Sequence, residues 1–279
     1  MNSYNNLITI KRRLDPSGSA SDFGTTHDTD LLALLVAASR QLDKYTNRFF
    51  YVDATTRYFD GAPNIAFLDD ILSITTLKTD EDGDATYENS LTETTDYHLY
   101  PLNSFPKTRA EINPAGSYGG FGYGIRKGIE IIGNFGYGNE TDATPYKDST
   151  SLLDELGNIT ATITAFTVDD GDDLGVGQTI LLDSEQMYIT AIATNEVTVI
   201  RAVNGTTGAI HLDNVVIYIY EYPEPIMEAC LIQAMRWWKR KDTAFQDVVA
   251  SPATGEVIVY KGLDPDLQLI VSSYRKRNI

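Results

Sequence analysis

Residues Thr179 to His211 read TILLDSEQMYITAIATNEVTVIRAVNGTTGAIH. Apolar side chains come in short continuous or alternating runs, with Asp, Asn and Gly between them. That spacing belongs to strands and turns rather than to a helix of period 3.6. The flanking runs ITATITAFTV (159–168) and NVVIYIYEY (214–222) repeat the pattern. Four or five short strands within about 75 residues predict a small β-barrel or sandwich with its own core. Its most eye-catching piece is AVNGTTGAIH, Ala202 to His211. A phosphate loop would need a helix N-terminus behind it, and none follows. His211 has no carboxylate or nucleophile at a readable spacing. Asn204–Gly205 suits a positive-φ turn, so a turn tied down by Thr hydroxyls is expected.

Working outward, the chain changes character on both sides. DTDLLALLVAASRQLDKYTNRFF, Asp28 to Phe50, places Leu31, Leu35, Ala38, Leu42, Tyr45 and Phe49 on one helical stripe, with Asp28 or Thr29 as cap. TTRYFDG, NIAFLDD, ILSITTLKTD and DYHLYPL then read as short strands with turns. NPAGSYGGFGYGIRKG carries six Gly in sixteen residues and predicts a mobile loop. GIEIIGNFGYG is a further strand. PEPIMEACLIQAMRWWKRK is helical, with Pro225 in the first turn and Ile226, Cys230 and Trp237 turned inward. DVVASPATGEV reads as a linker. LDPDLQLIVSSYRKRNI gives a last helix capped by Asp264, ending in a basic tail.

Net charge is −17, from 22 Lys/Arg against 39 Asp/Glu. Residues 53–222 hold eight Lys/Arg and 27 Asp/Glu, so this middle repels nucleic acid at long range. The single Cys, Cys230, excludes an intrachain disulfide and a Cys-based zinc site. A catalytic thiol would want an electropositive, open setting, whereas Cys230 sits among Ile226, Ala229 and Leu231. No apolar run approaches a membrane span, and the N-terminus is the reverse of a secretion signal; no membrane partner is expected.

Candidate chemistry is sparse. His27, His98 and His211 form no metal spacing. DEDGD (Asp80–Asp84) and DDGDD (Asp169–Asp173) resemble calcium loops but lack the full pattern, so solvated turns are expected. The Gly-rich run is followed by a strand, not by the helix a nucleotide loop requires. Trp237–Trp238–Lys239–Arg240–Lys241 mixes aromatics and cations, but adjacent helical residues point about 100° apart, which favours packing over base stacking. Neither a catalytic set nor a cofactor or metal site is expected, and the chain does not read as an enzyme.

Several of these pieces resemble, in order, the head–tail connector (adaptor) family of tailed double-stranded DNA phages. They are the acidic cap Asp28 with Asp30–Leu31–Leu32, the small patch Ala37–Ala38–Ser39, and Tyr45–Thr46–Asn47–Arg48–Phe49. Arg57–Tyr58–Phe59, Ile71–Leu72–Ser73–Ile74, Asp96–Tyr97 and Gly133–Asn134–Phe135–Gly136–Tyr137–Gly138 follow. Pro223–Glu224–Pro225–Ile226 through Ala229, Leu263–Asp264–Pro265 and Tyr274–Arg275 close the series. Shorter members run from the Gly-Tyr strand almost directly into the Pro-x-x-Ile helix; here Asn139 to Tyr222 intervene. Val176–Gly177, Glu185–Gln186–Met187, Arg201, Val203–Asn204–Gly205–Thr206–Thr207 and His211 resemble a β module found in several phage structural proteins.

The resemblance implies an α+β fold: a helical adaptor core with a small antiparallel sheet (1–144 and 223–279) and an inserted all-β barrel or sandwich-like domain (145–222). It implies a homo-oligomeric ring, usually of twelve copies, in the virion neck at the head–tail interface, assembled in the host cytoplasm. Its partners would be the portal protein and a stopper or tail-completion protein. Viral DNA would pass through the channel during genome ejection without sequence-specific binding. Tyr274, Arg275, Lys276, Arg277, Asn278 and Ile279 are the expected portal interface. Tyr118, Phe121, Tyr123, Arg126, Trp238 and Arg240 are the expected subunit interface. Another virion structural role carrying the same β module, as stopper, tail-completion or baseplate protein, is the alternative.

Overall fold

The continuous and alternating apolar runs build more sheet than the sequence suggests. In the computed structural model, which describes residues 2–241, 248–250, 257–259 and 263–276, two antiparallel sheets of six strands each dominate. The first joins β1 (Asp53–Phe59), β2 (Ile65–Thr79), β3 (Asn89–Leu91), β4 (Tyr97–Tyr100), β5 (Lys107–Ile112) and β6 (Ile129–Phe135) in the order β1-β6-β2-β5-β4, with β3 paired to β2. The second joins β7 (Tyr146–Leu152), β8 (Ala165–Thr167), β9 (Thr179–Leu182), β10 (Glu185–Ala193), β11 (Glu196–Ile200) and β12 (Val216–Tyr220) in the order β7-β12-β9-β10-β11-β8. An antiparallel bridge between Leu153 and Val168 brings its two edge strands together.

Four helices complete the described residues: α1 (Leu7–Leu14), α2 (Asp28–Thr46), α3 (Glu224–Arg240) and α4 (Pro265–Tyr274). The expectation of a helical adaptor core with a small sheet is therefore corrected: the protein is mostly β. The reason lies in residues 53–135. Their Thr, Ile, Tyr and Phe favour a pleated, half-buried surface. β2 runs fifteen residues and pairs with β3, β5 and β6, so the sheet that read as small is the widest piece of the first half. The stretch read as a linker, Asp247 to Val257, overlaps a short hairpin, β13 (Val248–Ala250) with β14 (Val257–Val259).

Local chemistry sets the helix ends. Asn6 caps α1, its side chain accepting from the Thr9 N–H at 2.9 Å. The quoted Asp28–Phe50 stretch stays helical only to Thr46. Asn47 is left-handed at φ 53°, where a short polar side chain is tolerated. Asp28 lies inside the first turn of α2, paired with Lys11 at 2.6 Å, rather than capping it. The buried stripe of α2 runs Leu31, Leu35, Ala38, Leu42 and then Thr46. Tyr45, expected inward, is 40% exposed, because the four-residue step from Leu42 lands on Thr46.

Three cores hold the chain together. The helices share one, in which Leu35, Ile226, Cys230 and Leu267 are buried beside Leu72 of the first sheet and Leu181 and Tyr220 of the second. Each aliphatic side chain so buried contributes roughly 1.5–3 kcal/mol. Ile131, Leu77 and Phe135 centre the core of the first sheet. Ile180, Met187, Ile189 and Ile217 centre that of the second.

The second sheet is also docked by hydrogen bonds. The Gln186 Nε2 donates to the Val52 carbonyl at 3.1 Å and the Ala54 N–H to the Asn204 carbonyl at 2.9 Å. Asn2 bonds both Asn204 and Thr179. The turn behind this joint has Asn204 at φ 54° and Gly205 at φ 79°, and the Thr206 hydroxyl donates to the Val203 carbonyl at 2.8 Å. A Cβ on Gly205 would lie 2.0 Å from the Ala54 carbonyl oxygen. Gly205→Ala is expected to cost at least about 2–4 kcal/mol, from left-handed strain plus forced separation of the two sheets. Gly18→Ala, also at positive φ but with nothing within 4 Å, is expected to cost about 1 kcal/mol. Urea denaturation of the two variants measures the difference.

Candidate functional site

The sequence places a cluster of cations where α2 ends, and the fold adds more. An open groove of roughly 1160 Å³ lies between the end of α2, the inner side of β1, the start of β2, β5 and the segment after α4. Its cationic side chains are Lys44, Arg48, Arg57, Arg109, Arg275 and Lys276; its carboxylates are Asp43, Asp69 and Asp70. Arg48 pairs with Asp70 at 2.8 Å and Arg57 with Asp69 at 2.7 Å. Both guanidinium groups also lie over rings, Arg48 over Tyr137 and Arg57 over Phe49 and Phe135. Arg109 pairs with Glu111. Lys44 and Arg275 are exposed and meet no carboxylate among the described residues.

Residues Tyr274 to Lys276 are fixed against this groove. The Lys276 N–H donates to the Thr46 carbonyl at 2.7 Å. Its Nζ reaches the Leu68 carbonyl at 3.4 Å and lies 3.4 Å from Asp70. Tyr274 stands edge-on to Phe50 and Tyr137. Of the six expected portal-facing residues, Tyr274 is thus half-buried, Arg275 exposed and Lys276 anchored; Arg277, Asn278 and Ile279 lie outside the described residues.

The expected subunit-interface residues come from the Gly-rich run and from α3. Tyr123 is 73% exposed and Arg126 projects into solvent, paired with Asp60. Phe121 must be corrected: it is fully buried in the core of the first sheet and is not available to a neighbour. Its burial is what pins the Gly-rich run, which was expected to be mobile. Phe121 and Ala62 exchange backbone hydrogen bonds, and the Gly61 N–H donates to the Ile125 carbonyl. A Cβ on Gly61 would fall 1.7 Å from the Gly122 carbonyl oxygen, so the glycines there allow backbone to meet backbone. Tyr118 packs against the same core. Trp238 packs between Phe23 and His27 with Lys241 over its ring. Arg240 lies in the last turn of α3. Trp237 packs on the helical core, and Phe49 lies past the end of α2, half-buried against Tyr51.

His211 does find carboxylates. Its Nδ1 is 2.7 Å from Asp183 and its Nε2 3.0 Å from Glu185. Glu185 is fully buried and also accepts from Arg201 through Nε and Nη2, each at 2.7 Å, and from the Ala202 and Ala209 N–H groups. Arg201 spends its other donors on the carbonyls of Thr160, Ile163 and Ala209. Asp183 and Glu185 sit two residues apart, so both point at His211, but they precede it by more than two dozen residues. Only the fold brings them together, with Asp183 and Glu185 at the turn from β9 into β10 and His211 bridged to Ile159, which is why spacing along the chain does not reveal them. Every donor and acceptor around Glu185 is used within the protein, and no hydroxyl or thiol nucleophile takes part in the cluster; it is built as a staple.

Four carboxylates, Asp80, Asp82, Asp84 and Glu88, place their oxygens within 4.8 Å of one another. Such a set could hold a hard cation. Asp80 is buried, and its oxygens accept from the N–H groups of Asp82, Gly83 and Ala85, so the turn is also held by its own backbone. In the second acidic turn, Asp169 accepts from the Leu152 and Asp170 N–H groups and from Ser151. No described helix is long and apolar enough to cross a membrane.

No family model matches the chain, and no curated protein matches it. Among solved structures, the chain is similar to one described as the neck of an empty GTA particle computed with C6 symmetry. Identity is 12%, the match covers 91% of this chain and 81% of that chain, and the TM-score is 0.31. A TM-score of that size does not establish a common fold.

Two carboxylates carry pH dependences of opposite sign. Burial works to raise Glu185, but the bonds from Arg201, His211 and the Ala209 N–H overcome it and hold it at about 2. Its contribution is present above the ordinary carboxylate range and is lost as pH falls toward 2. Glu185→Gln leaves Arg201 buried without a counter-charge; it is expected to cost about 3–5 kcal/mol at neutral pH and to remove this acid-side slope. Asp43, by contrast, is pushed up to about 6 by burial, against the opposing effects of Arg40 and the Tyr4 hydroxyl. The folded state therefore binds the extra proton, and stability declines as pH rises from about 4 to 6. Asp43→Asn is expected to flatten that decline. Denaturation curves from pH 2 to 8 read both.

Proposed function

We propose that this chain is a non-enzymatic structural head–tail connector (adaptor) of a tailed phage. In this reading it forms a ring beneath the portal that joins the DNA-filled head to the tail or stopper and lines the exit channel. The observation that carries the reading is how Tyr274–Lys276 are held. The backbone of Lys276 is bonded to the end of α2 and its side chain to β2, which fixes this segment beside the cationic groove. That suits a segment whose task is to engage a larger partner. The ordered series of motifs from Asp28 to Arg275 supports the same assignment. The charge does as well: carboxylate-rich walls let DNA slide without sticking, since phosphate and carboxylate repel.

A ring is a closed head-to-tail assembly in which one surface of each subunit meets a different surface of the next. Sedimentation and electron imaging of the purified protein, alone and with its cognate portal, are expected to show closed rings. A chain ending at Lys276 is expected to keep the ring and to bind portal at least about tenfold more weakly, the loss of about 1.4 kcal/mol. A protein that stays monomeric alone, with portal and when recovered from particles would overturn the proposal.

A further inference from the structure

The groove and the acidic turn lie at opposite ends of one strand. Asp69 and Asp70 of β2 line the groove, and Asp80 begins the turn directly after the last residue of β2. About ten residues at roughly 3.3 Å each separate Asp70 from Asp80, at most on the order of 30 Å along the strand. Among the described residues the groove cations pair with Asp53, Asp69, Asp70 and Glu111, and none pairs with a carboxylate of the turn.

Their charges are complementary. Six cationic side chains against three carboxylates line the groove, in a chain where acids outnumber bases 39 to 22. Lys44 and Arg275 are left without an acidic partner there. Residues 80–88, DEDGDATYE, carry five carboxylates and no cation, and four of the five crowd within 4.8 Å. The turn is prearranged by the bonds to Asp80, by the Asp84 side chain accepting from the Thr86 N–H, and by Glu88 accepting from the Glu81 N–H. A partner can therefore meet it without first ordering it.

We infer that the Asp80–Glu88 turn of one copy seats in the Lys44–Arg275 groove of the next. The two surfaces differ and stand at opposite ends of β2, so the contact is heterologous and propagates from copy to copy. This rests on the proposal that the chain assembles with itself, and it names the contact that would do it.

The test uses the full-length protein and exposed residues. In Lys44→Glu/Arg275→Glu neither replaced side chain has an ion pair to lose. In Glu81→Lys/Asp84→Lys the Asp80 bonds remain, and the one bond of the turn that is lost is that from the Thr86 N–H to Asp84. Thermal unfolding checks that both variants fold. Wild-type assembly, followed by sedimentation velocity, is expected to weaken as salt is raised from about 0.05 to 0.5 M. Each variant alone is expected to need at least about tenfold more protein to assemble, and an equimolar mixture of the two is expected to recover mixed complexes. Folded variants that assemble like the wild type, or a mixture that recovers nothing, overturn the inference while leaving the connector proposal standing. A wild type that never assembles sinks both. If a variant keeps self-assembly but loses an acidic protein partner, the groove belongs to that partner and the inference is wrong.

Discussion

The desolvated pairing of Glu185 with Arg201 is the constraint on which the join between the two sheets depends. Both charges are taken out of water, which is costly unless every hydrogen-bonding position is filled. Here they are filled, and the groups that fill them are spread over residues 160–211. That closes the turn into one shape. Because the shape is fixed, Asn204 can face Asn2 and Gln186 while its carbonyl receives the Ala54 N–H. The ion pair therefore positions a joint it does not itself touch.

Charge is divided in a similar way across the first half of the chain. Acid dominates the middle of the sequence, yet the end of α2, β1, β5 and the segment after α4 collect cations in one place. Arginines lying over rings stay charged while giving up part of their hydration, since the guanidinium is weakly hydrated and flat. Such a surface keeps its charge and its position together.

Parts of this were legible in the sequence and parts were not, for physical reasons. The stripe Leu31–Leu35–Ala38–Leu42 follows from period, and the strands of the second sheet from alternation. The positive-φ turn at Asn204–Gly205 follows from local sterics. All three are properties of near neighbours. The extent of the first sheet was missed because its strands are short and separately weak; only pairing along fifteen residues of β2 makes them one surface. The Gly-rich run was read as mobile because composition does not show that Phe121 finds a core. The His211 cluster was missed because its carboxylates come from a distant strand. Glu185, Arg201 and His211 belong to one sequence pattern, and only the fold shows that they touch.

The placement of Asn2 bears on the order in which the chain can finish folding. Asn2 and Ser3 are almost wholly buried, and the side-chain partners of Asn2 are Thr179 and Asn204. A ribosome adding about 5–20 residues per second takes on the order of 10–40 s to make the intervening chain. Until then Asn2 lacks both of these partners, and completion of this joint waits on the arrival of the second sheet.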